Sequence, residues 1–218
     1  MKFSFVIPAF NGWRLVHQLL YDIHQNCSPV HEILLMDNGS TEVGFLDGLA
    51  WWNSTGLLPI THIRNTEDMG FLKNSNKGLK LATGDVVCLI STDVRIHKDV
   101  VGYKINNTSI VGGRLLDFDT GWNQFNGKIY PYVEGWILTT TKENWEYLGY
   151  FDERYSPNDM EDVDLSTKVI DVGFSLEVYP NDYVSHIGAQ TIGYSPEREK
   201  ITHINKKKFE KKWIKNAS

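Results

Sequence analysis

The sequence predicts an α/β protein built on a doubly wound, mostly parallel sheet. Two observations point there. From residue 3 to residue 90, short apolar runs that end in turn formers alternate with stretches of helical periodicity. One of those runs, Val86-Val87-Cys88-Leu89-Ile90, is apolar on both faces, as a strand in the middle of a helix-covered parallel sheet must be.

The elements follow in order. Phe3 to Ile7 is a strand stopped by Pro8; its apolar run is too short for a signal peptide. Asn11 is placed to cap a helix carrying Val16, Leu19, Leu20 and Ile23. Glu32 to Asp37 is a second strand, followed by the turn Asn38-Gly39-Ser40. Ser40 or Thr41 is expected to cap a second helix holding Val43, Phe45, Leu46, Leu49 and Trp52. Ile60 to Ile63 is a third strand and Gly70 to Ala82 a third helix, and Thr83-Gly84-Asp85 turns into the strand at Val86. Beyond residue 95 the alternation is less regular. Strands are expected at Ile110 to Leu116, Trp136 to Thr140 and Phe174 to Val178, with helices at Lys142 to Leu148 and Asp159 to Val172, the latter closed by Gly173.

The 218 residues suit one domain, with 41% apolar and 12% aromatic content, enough for a real core and too much for a disordered chain. The formal charge of −5 gives no reason to expect nucleic acid as a partner. Two cysteines, Cys27 and Cys88, cannot build a disulfide framework, and no CxxC suggests zinc. A reducing cytoplasm is the expected location.

Ligands of doubly wound sheets bind outside the carboxyl ends of the strands. That rule singles out Pro8 to Asn11, Asp37 to Ser40 and Ser91 to Asp93. Asp37 could accept hydrogen bonds from a ribose hydroxyl or a base N–H; it could equally build an Asx turn. Asp93 could serve a hard divalent cation, which takes one or two carboxylates when phosphates supply the rest; it too could be a turn residue. Asp159, Glu161, Asp162 and Asp164 crowd the start of one helix, where negative charge already suits the macrodipole. A carboxylate there can also reach an acceptor hydroxyl as a general base. His186 is a structural histidine or a ligand. Phe118, Trp122, Phe125, Tyr130, Tyr132 and Trp136 lie among turn formers, which suggests a surface loop whose rings stack on sugar faces.

Six segments in order resemble a family 2 glycosyltransferase of the GT-A fold: Val6-Ile7-Pro8-Ala9-Phe10-Asn11, Met36-Asp37-Asn38-Gly39-Ser40-Thr41, Gly70-Phe71 with Asn76 and Gly78, Ala82-Thr83-Gly84-Asp85, Phe151-Asp152-Glu153, and Glu161-Asp162-Val163-Asp164-Leu165. The resemblance runs from residue 3 to about 190. It implies one GT-A domain over 1–194, with a nucleotide-sugar half at 1–95 and an acceptor half at 96–194; the lysine-rich composition after residue 194 marks 195–218 as a basic helix or tail. It implies a donor site of Pro8, Ala9, Phe10, Asn11, Asp37, Asn38, Gly39, Asn76 and Thr92. Asp93 matches the last Asp of the family's DxD motif and, with His186, would hold a divalent metal, Mn2+ or Mg2+. Glu134, Gly135, Trp136 and Glu161 would line the acceptor site, and Asp162 would be the general base of an inverting transfer.

Two positions depart from the pattern. Ser91 stands where DxD would begin, and Asp68 stands where relatives often carry Asn. The implied partners are a nucleotide-sugar donor and a saccharide or lipid-linked acceptor, with a role in polysaccharide or glycoconjugate synthesis. The alternative is a nucleotide-sugar-binding protein of the same fold without turnover. The lysine-rich tail from Lys200 to Lys215 could touch the inner face of an anionic membrane. The blander reading is a helix that packs Phe209 and Trp213 on the domain.

Overall fold

The computed structural model describes residues 1–119, 129–188 and 195–214. Its first half runs β1 (Phe3–Ala9), α1 (Trp13–Asn26), β2 (Glu32–Asp37), α2 (Phe45–Thr55), β3 (Ile60–Arg64), α3 (Gly70–Leu81) and β4 (Val86–Ile90). Then follow β5 (Val94–Ile96), β6 (Ser109–Gly112), β7 (Leu115–Asp119), β8 (Ile129–Val133), β9 (Ile137–Thr141), α4 (Lys142–Leu148), α5 (Glu161–Asp171), β10 (Ser175–Val178), β11 (Val184–His186) and α6 (Pro196–Trp213).

A seven-stranded sheet in the order β10-β6-β9-β4-β1-β2-β3 carries the fold. Strands β4, β1, β2 and β3 are mutually parallel, whereas β9 runs antiparallel between β4 and β6. Every residue of β1 is buried because alternate side chains feed two cores. Phe3, Phe5 and Ile7 join Ile33 and Leu35 of β2 under α1 and α2. Val6 joins Leu34 and Met36 on the other face, with Leu72 and Leu79 of α3 and Trp145 of α4. Helix α3 lies directly on that face: a Cβ on Gly78 would come within 2.5 Å of Val6 and 2.8 Å of Met36. Only glycine permits so close a crossing, despite its low helix propensity.

Several expected details are corrected. Asn11 does not cap α1, whose N-cap is Gly12; its side-chain oxygen accepts from the N–H groups of Thr41 and Glu42 at 2.7 and 2.9 Å. It thus ties the ends of β1 and β2 together. Neither Ser40 nor Thr41 caps α2, which starts after Gly44 and leaves Val43 98% exposed. The strand expected over Ile110 to Leu116 is two strands, β6 and β7, parted at Gly112-Gly113. A Cβ on Gly113 would collide with the Trp136 ring and one on Gly112 with Val133, so the chain bends where two neighbours press in. Helix α5 starts at Glu161, leaving Asp159 outside it, and Asp159 and Met160 both hold positive φ (71° and 75°). Gly173, at φ 80°, follows α5 as expected.

The aromatic run is not one surface loop. Phe118 and Tyr130 sit on the β7–β8 hairpin and meet Phe209 of α6 edge to face, and Tyr130 is buried. Trp122 and Phe125 lie outside the described residues. The lysine-rich segment is the helix α6, seated by the fully buried Phe209 with Trp213 packed beside it. Among the described residues, no helix is long and apolar enough to cross a membrane.

Candidate active site

The carboxyl ends of β1, β2 and β4 open onto two adjoining cavities. The smaller, about 210 Å³, lies between Pro8, Ala9 and Phe10 at the end of β1 and the start of α3, with Asn38, Asp68 and Asn74 as its polar lining. The larger, about 560 Å³, contains Thr92, Asp93, Glu134, Gly135, Trp136, Glu161, Asp162 and His186. Pro8, Phe71 and Asn158 line both, so the two are one continuous cleft.

Four of the expected donor residues line neither cavity. Asp37 is fully buried beneath the rim. Its carboxylate accepts from the Ser40 N–H at 2.7 Å and from Arg64 at 2.7 Å, with the His62 ring at 3.0 Å. Burial alone would raise its pKa, but the Ser40, His62 and Arg64 contacts outweigh burial and hold it below the usual carboxylate value. Asn11 and Gly39 shape the same rim from behind. Asn76 points away from it, donating to the Phe151 carbonyl at 2.9 Å and accepting from the Phe151 N–H at 3.1 Å. It fastens α3 to the segment after α4.

Asp68 belongs to a polar lattice behind the smaller cavity. It accepts from the Asn38 side chain and from the Gly70 N–H, while Asn38 accepts from Asn65 and from the Met69 N–H. The departure from the family pattern at this position is therefore a carboxylate that orients Asn38 at the cavity wall.

In the larger cavity, Asp93 stands at the tip of β4 and His186 at the end of β11. Antiparallel pairing of β11 with β5 sets His186 opposite Val94 and brings its Nε2 within 3.3 Å of Asp93 Oδ1. The imidazole lies flat on the Trp136 indole, with centroids 5.0 Å apart and planes at 14°. Trp136 in turn accepts the Ser91 N–H on its carbonyl at 2.8 Å and donates its indole N–H to Glu134 at 3.0 Å. Glu134 also receives two N–H groups of Arg114. Burial would raise its pKa, but Arg114 and Trp136 hold it below the usual value. The Asp93–His186 pair of oxygen and nitrogen donors fits Mn2+ or Mg2+ when diphosphate oxygens and water complete the shell. Among the described residues, no group of three or more His, Cys, Asp or Glu gathers as a self-sufficient cage.

Opposite them, the first turn of α5 delivers two carboxyl groups, Glu161 buried and Asp162 half-buried. Asp162 is held by the Val163 N–H on Oδ1 at 2.8 Å and the Gly135 N–H on Oδ2 at 3.1 Å. Burial nonetheless dominates and, with the charge of Glu134, raises its pKa to about 6. Glu161 is only 7% exposed and its Oε2 has no hydrogen-bond partner among the described residues. Burial first and the Asp162 charge second raise its pKa well above the usual value.

Residues of α6 also line this cavity: Arg198, Thr202 and Lys206. Nothing in the sequence flagged them, because they sit 36 or more positions beyond Asp162 and their spacing is that of any helix face.

The glycosyl transferase family 2 model matches residues 4–154. The chain belongs to glycosyl transferase family 2. Over 106 residues, 48% of its length, it is 34% identical to YfnE of Bacillus subtilis (strain 168), described as an uncharacterized glycosyltransferase; the match spans 26% of that protein. Among solved structures, that of GalNAc-T7 with UDP, GalNAc and Mn2+ superposes with a TM-score of 0.78 at 15% identity, covering 99% of this chain and 49% of that one. The mannosyltransferase PcManGT from Pyrobaculum calidifontis, in complex with GDP-Man and Mn2+, gives 0.68 at 19% identity over 87% of this chain and 58% of that one. These superpositions establish the GT-A fold. The chain thus spans about a quarter of YfnE and about half of each structural neighbour.

Proposed function

We propose that this family 2 glycosyltransferase moves a sugar from a nucleoside diphosphate donor to an acceptor hydroxyl with inversion, in the synthesis of a polysaccharide or glycoconjugate. One observation carries the reading: a half-buried carboxylate, Asp162, with its pKa raised to about 6, shares a cavity of about 560 Å³ with the Asp93–His186 pair.

The nucleoside would enter the smaller cavity, against Pro8, Phe10 and Asn38, and its diphosphate would lie toward Asp93. Asp93 and His186 would hold a divalent cation, which when bound neutralises charge on the departing diphosphate. Asp162 then needs one thing, an acceptor O–H within hydrogen-bond reach. The Gly135 and Val163 N–H groups fix its carboxylate, so a bound hydroxyl meets a base already oriented. The hydroxyl proton passes to Asp162, its oxygen bonds to the anomeric carbon, and the bond to the diphosphate breaks on the far face. Glu161, being protonated, donates to a neighbouring acceptor oxygen rather than competing for the proton. Glu134 and Trp136 form the wall against which the acceptor ring rests.

A thermal-shift panel of nucleotide sugars with and without Mn2+ tests this. One donor should raise Tm in a metal-dependent way, since a ligand at 100 times its Kd contributes about 2.7 kcal/mol. Incubation of that donor with saccharide acceptors should then release nucleoside diphosphate. No stabilisation by any nucleotide sugar refutes the donor site. Binding without release from any acceptor supports the non-catalytic alternative.

A further inference from the structure

The turn that leads into the base is held from outside by α6. Asp159 and Met160, two non-glycine residues in succession, adopt left-handed backbone conformations immediately before α5. Such a conformation is costly for a residue with a Cβ, and a run of two does not persist unless its surroundings impose it. Met160 is the N-cap of α5 and makes no side-chain capping bond, so the helix that carries Asp162 starts without the usual local support.

The support comes from α6, on both sides of Asp162. Asn205 is 1% exposed, and its side-chain Nδ2 donates to the carbonyls of Tyr155 at 2.7 Å, Asn158 at 2.9 Å and Asp159 at 3.1 Å. Three acceptors face one amide nitrogen, and its oxygen accepts from Lys208, so the orientation of the amide is dictated by its partners. One turn earlier, Thr202 donates to the Asp159 carboxylate at 2.6 Å and Arg198 pairs with it at 2.8 Å. Beyond the base, Lys212 and Trp213 each reach the buried Asp164 at 2.7 Å. All of these partners lie past residue 154, outside the stretch matched by the family model.

We propose that α6 braces the catalytic turn and that Asn205 is its central positioning residue, holding the Tyr155–Asp159 backbone so that Met160 launches α5 with Asp162 facing the cavity. This rests on the reading of Asp162 as the base. Asn205 touches no substrate; it acts through the Asp159–Met160 turn. From the same helix Lys208 donates to the Arg154 carbonyl and Lys212 to Asp152.

Three variants of the full chain test it: Asn205→Ala, Thr202→Val, and the exposed Lys211→Ala as control. The readouts are hydrogen exchange at amides 159–164, affinity for UDP and GDP with Mn2+, and kcat and KM with the donor found above. Asn205→Ala should speed exchange at those amides, leave nucleotide affinity unchanged and lower kcat about 10- to 100-fold, the loss expected from slight misplacement of a reacting group. Thr202→Val should speed the same exchange more weakly; because Thr202 also lines the cavity, it is judged by hydrogen exchange alone, which decides the matter if Asn205→Ala does not fold. Lys211→Ala should match wild type. Wild-type exchange and kcat in a folded brace variant overturn the proposal, and so does a parallel loss of nucleotide affinity and kcat. If wild-type protein binds nucleotide but transfers no sugar, the base reading fails instead, and hydrogen exchange alone judges the brace.

Discussion

At the end of the cleft beneath β1, β2 and β3, every charge is answered. Asp37 has Ser40, His62 and Arg64 around its carboxylate, and Asn38, Asn65, Asp68 and Asn74 hold one another in a closed lattice. At the end beneath α5, two carboxyl groups stand side by side, Glu161 buried and Asp162 half-buried, and one oxygen of Glu161 has no hydrogen-bond partner among the described residues. Where hydrogen bonds and a cation outweigh burial the pKa falls, as at Asp37; where burial outweighs the hydrogen bonds it rises, as at Glu161 and Asp162. A side chain held in an unfavourable ionisation state is where a reaction can be driven, and the pair at α5 fits that description.

The two ends should therefore answer the same substitution with opposite signs. Asp162→Asn is expected to cost the most in activity, lowering turnover by about 10²- to 10⁴-fold, while nucleotide affinity persists. Full turnover in that variant removes Asp162 from the mechanism. The same change should stabilise the protein at pH 7, by about 3–6 °C in Tm if about 1–2 kcal/mol of the penalty for the buried charge is recovered. Asp37→Asn should instead destabilise by about 2–3 kcal/mol in urea unfolding, since Arg64 and His62 lose the charge they surround. Equal signs at the two positions would end the contrast.

Changing pH gives a finer test. Asp162 titrates in the folded protein at about 6, above its unfolded value, so its neutral form favours folding at low pH and that contribution is lost as pH rises through about 6. Turnover should climb across the same interval as the base ionises. Asp37 runs the other way: its lowered pKa contributes stability above the unfolded value, lost as pH falls through the folded one. The smallest effect is expected from Glu161→Gln, which copies the protonated carboxyl; the midpoint of the pH–rate profile should hardly move. A large loss there would mean that Glu161 works ionised.

Legibility in the sequence followed the distance between partners. Strand β4 and helix α4 have the bounds expected of them, because apolar periodicity and a Thr141 cap are local facts. The turns at the strand ends were legible for the same reason. The exposure of Val43 was not, because α2 begins only after Gly44, whose positive φ no periodicity announces. Nor was the turn at Asp159 and Met160, since its conformation is imposed by Asn205, Arg198 and Thr202, some forty residues away in the chain. At the site itself, Asp93, His186, Glu134, Trp136, Glu161 and Asp162 lie around one cavity. Asn76 and Asp37 turn inward, because an asparagine or aspartate beside open backbone N–H and C=O groups finds them before it finds solvent.

Trp136 ties together three parts of the larger cavity. Its ring carries the His186 imidazole, its carbonyl is pinned to the tip of β4 through Ser91, and its indole N–H holds Glu134. Removing this one ring would therefore release both the imidazole it carries and the Glu134 carboxylate it holds.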